Sequence, residues 1–320
     1  MPLAIFTSGG DSAGMNPAIK KTVEKGWERG DEVYLIYDGL EGLIDDKIYQ
    51  AKHSEISGIV HKGGTVLRSS RSPRFFEYEN RKIAYENLER RGVDKLVVCG
   101  GDGTFRALEQ FYKDFGMNFI GIPSTIDNDI FGTDYCLGVD TALNVIREAV
   151  DKLRDTAASF KRAFVVEVMG RDCGYLGVVS AITSGAEVCI VPELEYDLES
   201  IGKRLKAEIE NGRTYVLAVV SEGTKASTEV VEWLKNDVKI DTRITILGHV
   251  QRGGSPTVFD RRMGFEFASM AVDKLYSENK CHYVVVHNGG EFGFESIDYV
   301  TSQKYQIPDD LMKLATNITK

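Results

Sequence analysis

The stretch Pro123-Ser124-Thr125-Ile126-Asp127-Asn128-Asp129 follows the apolar run Phe119-Ile120-Gly121-Ile122. The run reads as a buried strand. The polar stretch therefore falls where a parallel strand ends, which is where open α/β sheets bind their ligands. It places two carboxylates and a hydroxyl within five residues. Carboxylates that close do not both stay fully charged without a metal, a cation or a shared proton. One of them is thus a candidate general base for a hydroxyl. A turn that uses Asp and Asn for their Asx hydrogen bonds accounts for the same residues equally well, and the rest of the chain decides between the two.

Two further strand-to-loop passages precede this one. Leu3-Ala4-Ile5-Phe6-Thr7 runs into Ser8-Gly9-Gly10-Asp11-Ser12-Ala13-Gly14-Met15-Asn16, and a helix is expected next with Asn16 as its N-cap and Pro17 in its first turn. Lys95-Leu96-Val97-Val98-Cys99 runs into Gly100-Gly101-Asp102-Gly103-Thr104, with a helix expected from about Phe105. Glycine-rich turns of this kind expose backbone N–H groups to phosphate oxygens, with a helix N-terminus behind them. Asp102 between glycines suits Mg²⁺, which takes one or two carboxylates and fills its shell with water and phosphate. All three loops are expected on one edge of one sheet. Between them, Leu67-Arg68-Ser69-Ser70-Arg71-Ser72-Pro73-Arg74 gathers three arginines and three serines, a composition suited to phosphate and also to a solvated basic loop.

Helical spacing is clearest from Val139 to Leu153, with Asp140 near the start and Arg154 near the end. This helix reads as a spine joining two domains. Beyond it the strand alternation resumes at 163–168, 188–191, 215–220 and 244–247, and 283–287 reads as a last strand. Met169-Gly170-Arg171, Ser221-Glu222-Gly223 and Gly248-His249-Val250-Gln251-Arg252-Gly253-Gly254 follow three of these strands. Arg162 and Arg243 stand at strand starts, on the opposite edge, so a functional role for them is a role toward a neighbouring subunit.

At 320 residues the chain has room for two domains. A net charge of −9 argues against a nucleic-acid binder and requires any site for a phosphorylated substrate to concentrate its cations. The five cysteines have no pairable spacing and read as reduced core residues of a cytoplasmic protein. No stretch approaches a membrane span, and no basic segment precedes the first strand, so no signal peptide is expected.

The motifs SGGDSAGMN, GGDGT, TIDND with its IFGTDY continuation, EVMGR and LGHVQRGGSP occur in that order and resemble bacterial ATP-dependent 6-phosphofructokinases over all but about the last forty residues. The resemblance implies the phosphofructokinase fold, two three-layer α/β/α domains with mainly parallel sheets. The nucleotide-binding domain is expected over 1–138 plus about 252–300, the sugar-phosphate domain over 139–251 plus about 301–320. It implies transfer of the γ-phosphoryl of ATP to the 1-hydroxyl of fructose 6-phosphate, with Mg²⁺ on Asp102. Asp127 matches the family's base, and Thr125, Asp129, Arg71 and Arg171 complete the catalytic set. Gly10, Arg71, Ser72, Gly101, Asp102, Gly103 and Thr104 match the nucleotide site. Thr125, Ile126, Asp127, Met169, Gly170, Arg171, Glu222, His249, Val250, Gln251 and Arg252 match the sugar-phosphate site, to which Arg162 and Arg243 are donated across a subunit interface of a homotetramer.

Some positions depart from the family pattern. Ser124 stands where the bacterial ATP enzymes commonly carry Gly. Pyrophosphate-dependent relatives carry Lys there and Asp in place of Gly103. The family's effector site maps to Lys20, Arg154, Glu187 and Arg213, yet Glu24 replaces a basic residue and Gly58 an Asp, which implies weakened control by an anionic effector. The alternatives are a pyrophosphate-dependent phosphofructokinase, a kinase for another sugar phosphate or a nucleoside, and a catalytically silent nucleotide-binding subunit.

Overall fold

The computed structural model describes residues 2–319. The chain divides into two units: Met1–Thr141 with Arg252–Tyr305, and Ala142–Gln251 with Gln306–Lys320. Among the described residues no helix is long and apolar enough to cross a membrane.

Unit 1 is built on a seven-stranded sheet in the order β11-β10-β5-β4-β1-β2-β3. Its strands are β1 (Leu3–Thr7), β2 (Val33–Ile36), β3 (Ile48–Gln50), β4 (Lys95–Gly100), β5 (Asn118–Pro123), β10 (His282–Asn288) and β11 (Glu291–Ser296). The five central strands are parallel, and the two edges, β3 and β11, pair antiparallel. β1 and β4 are buried along their whole length, as strands covered on both faces must be. Leu3, Ile5, Val97, Ile120 and Val285 pack with Ile19 and Val23 of the Met15–Glu28 helix and with Phe267 and Val272 of the Val258–Ser277 helix. On β5, Gly121 makes room for a ring: a Cβ there would meet Phe105 Cε1 at 2.5 Å.

Unit 2 holds a four-stranded, all-parallel sheet in the order β7-β8-β6-β9, from β6 (Ala163–Val168), β7 (Val188–Ile190), β8 (Val216–Ser221) and β9 (Thr242–Ile246). Its core joins Val165, Ile190 and Val220 to Ile201, Leu205 and Trp233. All five cysteines are buried and unbridged. Burial pushes the Cys99 thiol up to about 12, so it stays protonated and unreactive.

Several local expectations are corrected. Asn16 does not cap its helix. Gly14, with φ 100, holds the N-cap, and Asn16 lies inside the first turn. Its side chain donates to Lys62 O at 2.9 Å and accepts from Val66 N at 2.8 Å, tying in a distant loop. The helix after GGDGT begins at Asp102 and not at Phe105. Thr104 N and Phe105 N both bond to Gly101 O, closing the first turn around Asp102 and Gly103. The helix from Val139 runs to Phe160, so Arg154 is not in its last turn. β10 is not the last strand: Gly289 and Gly290, at φ 58 and 88, turn the chain into β11. That Gly-Gly pair between extended runs was a legible hairpin signal.

Candidate active site

In unit 1 the strand register sets the floor of the site. Gly100 of β4 lies opposite Pro123 of β5, and Cys99 lies opposite Thr7 of β1. The three loops therefore leave the sheet side by side. Ser8 N donates to Cys99 O and Ser124 N to Gly100 O, each at 2.9 Å. A Cβ on Gly9 would lie 3.5 Å from Thr104 Oγ1, and one on Gly101 would lie 3.7 Å from Thr125 Cβ. Gly10, Gly101, Asp102, Gly103, Thr104, Thr125, Ile126 and Asp127 are thus brought to one edge.

Asp127 is completely buried, and its N–H donates to Thr125 Oγ1 at 3.2 Å. Asn128 follows in the left-handed region, φ 52, which Asn tolerates better than most residues. Its side chain accepts from Cys136 N at 2.9 Å and donates to Asp134 O at 3.0 Å. The outgoing and returning legs of the loop are stapled there. Asn128 read in the sequence as one more turn residue, and the signal that would have found its role is the unusual φ, which a sequence does not print. Asp129 is half-buried in the same loop.

Asp102 opens the Asp102–Phe115 helix with 42% of its side chain exposed; its Oδ2 is paired with Arg106 Nε at 2.9 Å. That bond pushes the Arg106 guanidinium up. A Cβ on Gly103 would meet no atom within 4 Å. Ser124 is buried, and its hydroxyl donates back to Ile122 O at 3.0 Å, into the sheet.

The arginine loop is sewn onto this edge. Ser69 Oγ donates to Gly9 O at 2.7 Å, and Thr7 Oγ1 to Arg68 O at 2.8 Å. Arg68 is paired with Asp38, and Arg74 with Glu41 and Asp45. The Arg74 bond holds Glu41 below the usual carboxylate range. Arg71 is exposed and has no ion pair among the described residues, while Ser72 is buried. Arg252 lies across the first glycine loop: its Nη1 donates to Asp11 O at 3.3 Å, and a Cβ on Gly10 would sit 2.3 Å from that nitrogen.

In unit 2, the ends of β6, β8 and β9 gather a second set. Glu222 Oε1 accepts from Gly170 N at 3.3 Å and Arg171 N at 3.0 Å. Gln251, fully buried, accepts from Met169 N at 3.2 Å. His249 and Val250 stand exposed on the 3₁₀ turn Gly248–Arg252. Arg162 and Arg243 are at the other end of the same sheet, flanking Asp241 at 3.3 and 2.7 Å. Strands of this length separate the two edges by about 17–20 Å.

Of the four effector candidates, Lys20 lies in unit 1 and Arg154, Glu187 and Arg213 in unit 2. Glu187 and Arg213 are ion-paired in unit 2, where Glu187 Oε2 also accepts from Leu217 N at 2.7 Å. Arg154 lies on the Val139–Phe160 helix, its Nε and Nη2 buried and without a hydrogen-bond partner. Lys20, in unit 1, is ion-paired with Glu24 one helical turn away.

The phosphofructokinase family model matches residues 2–275. A protein of Wolinella succinogenes named ATP-dependent 6-phosphofructokinase is 58% identical over 319 residues, 99% of each chain. One of the same name from Sulfurimonas denitrificans is 52% identical over 311 residues, 97% of each chain. Among solved structures, Pichia pastoris phosphofructokinase in the T-state is similar with a TM-score of 0.88 at 32% identity; the match covers 99% of this chain and 36% of that one. The chain belongs to the phosphofructokinase family.

Proposed function

We infer that this chain transfers the γ-phosphoryl group of ATP to the 1-hydroxyl of fructose 6-phosphate, giving fructose 1,6-bisphosphate and ADP, a glycolytic reaction. The observation that carries the reading is the adjacency of the loops after β1, β4 and β5, which puts a phosphate-type glycine loop, a half-exposed carboxylate and a buried carboxylate on one edge.

Phosphoryl transfer asks little covalent chemistry of a protein; it asks for alignment, charge neutralisation and a base. Asp127 takes the proton of the 1-hydroxyl as that oxygen attacks phosphorus. Thr125 Oγ1 already accepts the Asp127 N–H, which leaves its own proton to donate to the transferring phosphoryl. Gly10, Gly101, Gly103, Thr104 and Ser72 line the nucleotide, with the Asp102 and Gly103 N–H groups at the start of the Asp102–Phe115 helix offered to phosphate oxygens. Arg71 and Arg171 offset charge that builds on the phosphoryl oxygens. In the acceptor set, Glu222 keeps Oε2 for a sugar hydroxyl, Gln251 holds the Met169 backbone, and His249 with Arg252 takes the 6-phosphate.

Mg²⁺ fits Asp102. Among the described residues no group of three or more His, Cys, Asp or Glu is placed to hold a metal, and this ion needs only one or two carboxylates. Asp102 has one oxygen engaged, by Arg106, and Asp129 would assist. When bound, the ion neutralises phosphate charge.

Arg162 and Arg243 stand on the edge away from their own unit's acceptor residues, so we assign them to a neighbouring copy's 6-phosphate in a homotetramer. Effector control is weakened, because Glu24 already neutralises Lys20 and Glu187 is committed to Arg213 and Leu217; a large ADP-induced shift in fructose 6-phosphate dependence, lost in Arg154→Ala, refutes this.

The pyrophosphate reading is disfavoured by two observations: open space at Gly103, which leaves room for an α-phosphate, and a Ser124 hydroxyl turned away from the donor. A coupled assay with each donor tests the choice. Turnover with ATP and less than about a hundredth of it with pyrophosphate is expected; the reverse order sinks the reading.

A further inference from the structure

Asp260 lies more than 100 residues beyond the loop that carries Asp127 and is completely buried. It sits in the first turn of the Val258–Ser277 helix. Its carboxylate accepts four hydrogen bonds. Oδ1 takes Tyr135 OH at 2.6 Å and Gly138 N at 2.7 Å; Oδ2 takes Thr141 N at 2.8 Å and Thr141 Oγ1 at 2.5 Å. A buried carboxylate is costly unless its lone pairs are filled, and here they are.

The donors all belong to one short stretch, 135–141. It contains the return leg of the loop that carries Asp127 and the start of the Val139–Phe160 helix. No Ser, Thr, Asp or Asn stands just before that helix; Gly138, at φ 98, does. The side-chain acceptor that a helix N-terminus ordinarily finds in its own N-cap is supplied instead by Asp260, from another helix. The leg it grips is the one Asn128 holds through Cys136 N and Asp134 O, and Leu137 N closes it onto Pro123 O at 2.8 Å. Thr257 completes the network, donating to Asp140 Oδ2 at 2.6 Å and capping its own helix at Asp260 N.

We propose that Asp260 is a positioning residue for the phosphoryl-transfer reaction, fixing the 134–138 leg so that Asn128 holds Asp127 at the acceptor hydroxyl. The proposal rests on Asp127 being the base. Misplacing a reacting group by about 1 Å costs on the order of a hundredfold in rate. Losing a helix cap alone costs only stability. The two roles therefore separate in kcat measured well below the melting temperature.

The test uses Asp260→Asn, Tyr135→Phe and Asp127→Ser in the full chain. Asp260→Asn presents its NH₂ to one of the two pairs of donors. It is expected to lower kcat by roughly tenfold to a hundredfold with KM for both substrates within about threefold, a split that loss of stability alone does not produce. Tyr135→Phe removes one donor to Asp260 and the acceptor of Asp140 N–H, and leaves the Gly138 and Thr141 bonds in place; it is expected to lower kcat about threefold or more, measured well below its own Tm. If Asp260→Asn does not fold, Tyr135→Phe decides alone. Parental kcat in the folded variants overturns the proposal. Parental kcat in Asp127→Ser overturns the reading beneath it, and the two failures are distinct.

Discussion

The loop after β5 and the two arginines at the far edge of the β6 sheet solve opposite problems. The loop is closed on itself: Asp127 is buried, Asn128 staples its two legs, and Asp260 fills the donors of its return. Arg162 and Arg243 share one carboxylate, Asp241, and Arg243 is exposed. In the proposed reaction Asp127 is the base, and a base needs tight alignment with its proton, which suits geometry built inside one chain. Under the proposed roles, a cation that binds phosphate needs charge and reach more than rigidity, which suits a position at a surface open to another copy of the chain.

This contrast can be broken from either side. The largest expected effect is at the base: Asp127→Ser should lower kcat by about 10²–10⁴-fold and leave the dissociation constants of ATP and fructose 6-phosphate near the parental values, measured by equilibrium binding. Next, Arg243→Ala should raise KM for fructose 6-phosphate roughly 10–100-fold, as expected for a lost hydrogen bond to a charged group, with little change in Tm. Mixing Asp127→Ser with Arg243→Ala subunits sharpens the same point. If Arg243 serves a neighbour, hybrids regain activity at sites pairing an intact base with an intact arginine; no recovery after subunit exchange returns Arg243 to its own chain.

Smaller effects follow. Gly103→Asp is accommodated by the protein, since nothing lies within 4 Å of the new Cβ. Its cost should appear as about a tenfold or greater loss of kcat/KM for ATP, from like-charge repulsion, with an unshifted melting curve. Gly121→Ala should leave per-molecule activity intact and lower stability by about 1–3 kcal/mol, because the Phe105 ring occupies the space its Cβ needs; denaturant unfolding measures it.

Much of this was legible in the sequence because strand ends announce themselves. Apolar runs stopped by Gly-Gly-Asp or by Thr-Ile-Asp-Asn-Asp located the loops after β1, β4 and β5, and parallel pairing forced them onto one edge. The placement of Arg162 and Arg243 followed from their standing at strand starts. Harder to read were features set by contacts distant along the chain. Asn16 carries the residue type of a cap, but Gly14 took that position and freed its amide for residues 62–66. Asp260 looks like an ordinary first-turn acid, and its partners lie about 120 residues earlier. Short edge strands such as β3, three residues long, carry too few side chains to show a period.

The central claim is a group transfer between two named substrates, and ³¹P NMR of the parental protein with Mg²⁺, ATP and fructose 6-phosphate follows it directly. The account predicts that each ATP consumed yields one ADP and one new phosphate ester at the sugar's 1-position. Release of free phosphate without a new ester, or an ester formed only when pyrophosphate replaces ATP, would contradict it.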